Sequence, residues 1–328
     1  MLRAEYATRG PVPQDVIDAV EFTPPPLAEG QALVQVLAAP INPSDVLTLT
    51  GQYGLLPPLP AIGGNEGVGR IAALGPGTSA PPVGTTVMLP PGSGTWATHL
   101  VAEAGKCVPL PGGVDPQQLA MLTINPPTAS LMLSDYVTLA PGDWVIQDAA
   151  NSAVGGYVVQ LAKLRGYRTV NVVRRESAVA PVQASGGDVV LVDGADLARR
   201  VAAATGKAPI KLAIDAVGGA STDHLASCLA PGGTLVNYGM MGGEPCQVSP
   251  ANFVFKDVTL RGFWLAFWFR NATPAQVQAL FGEMATLVAG GKLSARVAAT
   301  FDVREIKRAV ALAAAGEREG KVLVVPKA

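Results

Sequence analysis

Two stretches of this 328-residue sequence combine residue types at spacings that could do chemistry, and the first is 143–175, DWVIQDAANSAVGGYVVQLAKLRGYRTVNVVRR. Residues 144–148 form an apolar run suited to a fully buried parallel strand, and a mostly small cluster follows: Ala149, Ala150, Asn151, Ser152, Ala153, Val154, Gly155 and Gly156. Val154, Val158, Leu161, Ala162 and Arg165 then recur at helical spacing, Gly166 is a helix stop, and 169–173 reads as a second strand. A strand, tight turn and helix in this order gather backbone N–H groups at the positive end of a helix, which suits a pyrophosphate. A full Gly-x-Gly-x-x-Gly fingerprint is absent, and a Gly pair alone is weak evidence. More informative is the end of the second strand, about 20 residues past the turn, where NAD-binding units place an acidic residue on the ribose. This chain has Arg174 and Arg175 there. Two guanidinium groups would attract a 2′-phosphate and so select NADPH; on the bland reading they are a solvated strand end.

Such a turn needs a sheet to hold it. Strand patterns at 144–148, 169–173, 189–192, 212–216, 234–238 and 258–263 alternate with helical ones. This predicts an α/β domain over 116–270 built on a Rossmann-type, doubly wound, parallel six-stranded sheet. Residues 1–115 are instead β-rich and punctuated by Pro and Gly, as in a small β-barrel domain. Residues 271–328 carry helix patterns at 274–288 and 303–315 and a closing strand at 321–325, and are expected to return to the first domain.

Composition narrows the function classes. The formal net charge is −1 with no basic block, so there is no electrostatic footprint for nucleic acid or an anionic membrane. No apolar run is long enough to span a bilayer, and the N-terminal residues lack a secretory or transit signature, which makes the cytoplasm the default location. Cys107, Cys228 and Cys246 are far apart, and with only His99 and His224 as imidazoles the chain reads as metal-free. Both histidines read as structural or exposed, and Cys107 and Cys228 as small core residues.

The second stretch is 39–69, APINPSDVLTLTGQYGLLPPLPAIGGNEGVG. Together with Gly94-Thr95-Trp96, Asn125-Pro126-Pro127-Thr128-Ala129, Asn151-Ser152-Ala153-Val154-Gly155, Asn171-Val172-Val173-Arg174, Tyr238-Gly239-Met240 and Arg261-Gly262-Phe263-Trp264, it gives the chain a specific resemblance. The sequence resembles the zinc-independent medium-chain dehydrogenase/reductases, and among them the mitochondrial-type trans-2-enoyl-CoA reductases and their bacterial relatives. The resemblance implies a GroES-like catalytic domain over 1–115. Zinc-dependent relatives carry a Cys near Asn42 and a His where Asn65 stands, so carbonyl polarisation by zinc is not expected.

In that family the tyrosine of a Gly-x-Tyr-Gly motif is catalytic, which here is Tyr53. The chemistry is consistent: hydride delivered to the β-carbon of an enoyl thioester leaves an enolate, and a phenol with a pKa near 10 is a neutral donor that can stabilise or protonate it. Without the motif, Tyr53 is equally a tyrosine in a tight turn. Residue by residue, the resemblance places Asn125 near the nicotinamide, Asn151, Ser152, Ala153 and Val154 on the pyrophosphate, and Arg174 and Arg175 on the 2′-phosphate. Tyr238, Gly239, Met240, Met241, Phe263, Trp264 and Leu265 would line the cofactor and acyl cleft, and Lys321 would reach the cofactor from the C-terminal segment. Read locally, Asn125 satisfies backbone groups ahead of Pro126, Lys321 is a surface lysine opening a strand, and the aromatic run 263–269 is a domain-interface core as readily as an acyl wall. Two departures are visible: Ala153 stands where the family has Gly, and Glu176 where it has a second Arg, for which Arg175 can compensate.

The expected function is NADPH-dependent reduction of trans-2-enoyl thioesters carried on CoA or acyl carrier protein, by a homodimer paired through the sheet edge near 258–263. The competing readings are an NADPH:quinone reductase of the same superfamily, which needs no donor at Tyr53, and a non-enzymatic nucleotide-binding protein or sensor.

Overall fold

The structure, a computed structural model, describes residues 1–316 and 318–327. The chain divides into two compact units, Met1–Ile124 with Phe281–Ala328, and Asn125–Leu280.

In the second unit the six expected strands are found at Trp144–Gln147, Arg168–Val173, Val189–Val192, Ile210–Asp215, Thr234–Asn237 and Thr259–Gly262. All neighbours are parallel, and Trp144–Gln147 and Ile210–Asp215 lie side by side at the centre. From that centre the chain winds outward first to Arg168–Val173 and Val189–Val192, then to Thr234–Asn237 and Thr259–Gly262. The reversal of direction makes the carboxyl ends of the two central strands the switch point, where open α/β sheets bind ligands. Trp144, Ile146, Val170, Val172, Ala213 and Leu235 share one buried cluster, which is why these strands read as continuous apolar runs. The outermost strand, Thr259–Gly262, is exposed along its whole length.

The first unit is organised around the long strand Gln31–Ile41, which pairs antiparallel with Val68–Leu74, His99–Glu103 and Lys321–Val324. Its alternating burial turns Ala32, Val34 and Val36 inward. Val297–Phe301 joins through a parallel pairing with Lys321–Val324, and the helix Ile306–Ala314 contributes Ile306 and Val310 to the same core as Val34, Ile71 and Trp96. A second sheet consists of Asp18–Glu21, Leu2–Tyr6 and Ala61–Ile62. The unit breaks fall at Ile124/Asn125 and Leu280/Phe281, later than the 115/116 and 270/271 expected. The physical reason at the first break is local: the short helix Pro116–Leu119 packs on Gln31–Ile41 and Val68–Leu74, and the backbone N–H groups of Thr123 and Ile124 donate to Glu66.

Candidate functional site

In the first unit the stretch 39–69 is held by Trp96, which is fully buried and donates its indole N–H to the Pro40 carbonyl at 3.1 Å. Gly64 passes beside it with φ +99°, and a Cβ there would sit 2.4 Å from Thr95 Oγ1 and 2.7 Å from the indole. Only glycine allows that approach, and it aims the next two residues, Asn65 and Glu66, inward.

Those residues enter a buried polar cluster. The Asn65 carboxamide donates to Asp45 Oδ1 at 2.7 Å, and Asp45 Oδ2 accepts the Asn42 backbone N–H at 2.7 Å, closing the start of the helix Pro43–Thr50. Asn42 Nδ2 donates to Glu66 Oε1 at 2.7 Å, while Glu66 Oε2 accepts the N–H groups of Thr123 and Ile124 at 3.1 and 3.0 Å. The Lys321 ammonium donates to Asn42 Oδ1. Asn42, Asp45, Glu66 and Lys321 are all at most 4% exposed. Burial pushes Glu66 up to about 7 against the pull of the Lys321 charge and the Asn42 hydrogen bond, and pushes Asp45 up to about 6. Burial also brings Lys321 down to about 8, opposed by the charges of Glu66 and Asp45.

The helix that this cluster caps ends at Gly51, and the backbone N–H groups of Gln52 and Tyr53 both return to the Leu47 carbonyl, at 2.8 and 3.2 Å. Tyr53 itself is half-buried. Its place is therefore fixed by the end of a helix whose beginning is fixed by Asn42 and Asp45. Lys321, read locally as a surface lysine, is one of the most buried charged groups of this unit.

In the second unit the turn after Trp144–Gln147 leads into the helix Ala153–Leu164, with Ser152 as N-cap accepting the Gly155 N–H at 3.1 Å. A Cβ on Gly155 would lie 2.7 Å from the Ala150 carbonyl oxygen, so the fingerprint's one indispensable glycine is present although the series is incomplete. Ala153 and Val154, as first helical residues, have no intrahelical acceptor for their N–H groups. Asn151 is exposed and Ser152 half-buried. Arg174, exposed, and Arg175, half-buried, follow Val173 directly, and Glu176 opens the next helical turn and is exposed. Donors at the turn with paired guanidinium groups at the neighbouring strand end fit a dinucleotide bearing a 2′-phosphate.

Beneath the turn, at the switch point, lies a pair of buried acids absent from the sequence reading. Asp148 accepts the Ala216 N–H at 2.7 Å and the Ser221 hydroxyl at 3.2 Å. Asp215 accepts the N–H groups of Val217 and Gly218, the Thr222 hydroxyl at 2.7 Å and the Asn237 amide at 3.0 Å. Burial, reinforced by the Asp215 charge, pushes the Asp148 carboxyl well above the carboxylate range. Burial alone would raise Asp215 too, but its hydrogen bonds hold it below that range. Tyr238 is half-buried and hydrogen-bonds to Ser152; burial pushes its phenol up. Gly239 is half-buried, whereas Met240 and Met241 are 60% and 57% exposed.

Asn125, 5% exposed, begins the helix Asn125–Ser134. Phe263 donates its N–H to the Asn237 carbonyl at 2.8 Å and packs edge-on against Tyr136; Trp264 and Leu265 are half-buried. In the run 263–269 no residue of the helix Leu265–Asn271 is fully buried: Leu265, Ala266, Trp268 and Phe269 are half-buried, and Phe267 is 60% exposed. His224 Nδ1 meets Asp193 Oδ1 at 2.8 Å, His99 is half-buried in its strand, and Cys107 is buried while Cys228 is only half-buried.

Asp45 and Glu66 could have been singled out, because they are the only charged residues between Glu29 and Arg70. Asp148 and Asp215 carry the signal of an acid closing an apolar strand. Among the described residues no cluster of three or more His, Cys, Asp or Glu could hold a metal ion, and no helix is long and apolar enough to cross a membrane.

Comparison with known proteins agrees with this geometry. Residues 28–112 match the alcohol dehydrogenase GroES-like domain family, and 153–283 the zinc-binding dehydrogenase family. The chain is 40% identical over 268 residues to the mitochondrial enoyl-[acyl-carrier-protein] reductase of Bos taurus, covering 80% of this chain and 72% of that protein. Among solved structures it resembles the Etr1p/NADP/crotonyl-CoA complex, with a TM-score of 0.89, 26% identity and 99% of each chain covered. It also resembles a Bacillus thuringiensis protein provisionally named an NADPH:quinone reductase, with a TM-score of 0.90, 28% identity and 99% of each chain covered.

Proposed function

Because this chain belongs to the mitochondrial-type 2-enoyl thioester reductases of the medium-chain dehydrogenase/reductase superfamily, we propose that it reduces the C=C bond of trans-2-enoyl thioesters with NADPH. The thioester is carried on CoA or acyl carrier protein, and the product is the saturated acyl thioester. Bound NADPH supplies the hydride that goes to the β-carbon. The negative charge that develops on the thioester oxygen needs a preorganised donor, and the phenol of Tyr53 serves as proton donor or enolate stabiliser. Asn151, Ser152, Ala153 and Val154 hold the pyrophosphate, Arg174 and Arg175 the 2′-phosphate, and Asn125 the nicotinamide end, while Tyr238 and Gly239 line the cofactor cleft.

The observation that carries this reading is the donor set at Asn42 and Asn65. Both are carboxamides committed to Glu66, Lys321 and Asp45, where a zinc site would take thiolate or imidazole. Tyr53 is the acid that follows the helix begun at Asn42. The test is NADPH oxidation, followed by absorbance, with a series of trans-2-enoyl-CoAs for the native chain and Tyr53→Phe. Native turnover that the variant loses supports the reading; equal turnover in both ends it.

A quinone reductase is the second reading, favoured by the likeness to the Bacillus thuringiensis protein. Quinone reduction needs no donor at Tyr53, so the same variant separates the two. The exposed edge strand Thr259–Gly262 supports a homodimer. A cytoplasmic location belongs to the same reading and is checked by cell fractionation.

A further inference from the structure

We propose that Lys321 is a positioning residue for Tyr53, acting through the Asn42 carboxamide and the helix that Asn42 and Asp45 begin. The inference rests on the reading of Tyr53 as proton donor.

The sheet delivers the lysine. Val322 is in register with Ile41, so Lys321 lies opposite Asn42, and the Lys321 backbone N–H is itself anchored on the Arg296 carbonyl at 2.8 Å. Its ammonium is an obligate donor and reaches Asn42 Oδ1. That contact decides which way the carboxamide faces: with Oδ1 on the ammonium, Nδ2 points at Glu66, 2.7 Å away. The Asn42 backbone N–H in turn holds Asp45, whose other oxygen is held by Asn65. Asp45 sits in the first turn of Pro43–Thr50, and the carbonyl of Leu47 in the same helix receives the N–H of Tyr53. An unbroken series of hydrogen bonds and one helix thus runs from the last strand to the backbone of Tyr53. Without the ammonium, Glu66 loses the charge that favours its ionised form and is pushed further toward the neutral acid, and the carboxamide loses the group that orients it.

The experiment measures enoyl-CoA reduction and NADPH affinity, by fluorescence titration, for Lys321→Met, Tyr53→Phe and the double variant. Lys321→Met is expected to lower kcat about 10²-fold, the usual scale of a small misplacement, with NADPH Kd unchanged. In the Tyr53→Phe background it should cost nothing further. A rise in NADPH Kd that matches the loss of kcat/KM makes Lys321 a cofactor contact and overturns the inference. So does a loss of the same size in the Tyr53→Phe background, where Tyr53 has nothing left to position. Native turnover in Tyr53→Phe alone removes the donor reading and this inference together. If Lys321→Met does not fold, Lys321→Met/Glu66→Gln removes both buried charges: the Gln carbonyl oxygen keeps the Thr123 and Ile124 N–H groups, and its NH₂ meets the Asn42 carboxamide, whose Oδ1 is no longer held by an ammonium and turns to accept it. Low kcat in that folded variant supports the inference, and native kcat overturns it.

Discussion

The carboxyl of Asp148 is hydrogen-bonded to that of Asp215 beneath the nucleotide-binding turn. Two buried acids in contact cannot both ionise at little cost, so one retains its proton. The partners identify which. Asp215 accepts from two backbone N–H groups, a hydroxyl and an amide, all donors suited to a carboxylate, whereas Asp148 has fewer donors and can itself donate.

The asymmetry predicts unequal variants. Asp148→Asn keeps a donor toward Asp215 and should fold normally. Asp215→Asn turns an NH₂ group toward donors and should destabilise by about 3 kcal/mol, measured by denaturant unfolding.

It also fixes a pH dependence. Asp148 has a folded pKa raised above its unfolded value, so between the two the native state binds the extra proton. Its contribution to stability is fully present below the unfolded pKa and is lost as pH rises through the folded one. The Tm of Asp148→Asn relative to the native chain should therefore increase as pH is raised through that window. A pH-independent difference would show that Asp148 is ionised in the native state.

Tyr53→Phe should lower kcat/KM for enoyl-CoA about 10²-fold, the loss typical of one preorganised donor. NADPH Kd should not move, because the phenol acts on the substrate and not on the dinucleotide.

Replacing Arg174 and Arg175 together by Ala should raise KM for NADPH by roughly 10-fold or more, the scale of lost charge-assisted hydrogen bonds, and leave KM for NADH unchanged. Glu176→Arg should shift preference further toward NADPH. Equal effects on both cofactors would return the arginines to a solvated strand end.

Gly155→Ala places a methyl 2.7 Å from the Ala150 carbonyl oxygen, and the turn must open to admit it. Unfolding measurements should show a loss of about 1–3 kcal/mol, with weaker NADPH binding alongside it.

Much of the second unit was legible in the sequence, because parallel strands buried on both faces announce themselves as apolar runs and the turn between two of them is local. The Gln31–Ile41 strand was legible as well. The polar cluster was not. Asn42, Glu66 and Lys321 lie far apart in sequence and carry no common pattern; only strand register brings Lys321 opposite Asn42. The Lys321 pattern therefore suits a surface strand end as well as a buried ammonium. The aromatic run 263–269 misleads in the opposite sense, since composition signals a core where the helix Leu265–Asn271 has no fully buried residue and Leu265, Ala266, Trp268 and Phe269 are half-buried.

The pairing of Gln31–Ile41 with Lys321–Val324 also bears on how the polypeptide is made. The second unit is continuous in sequence, so the ribosome can release all of it before the final strand exists, and it can close while synthesis continues. The first unit begins earlier and finishes last, its central sheet waiting with one side unpaired until the C-terminal residues emerge. A nascent chain arrested before residue 321 should therefore protect the nucleotide-binding half from protease while leaving the half that bears Tyr53 open to it.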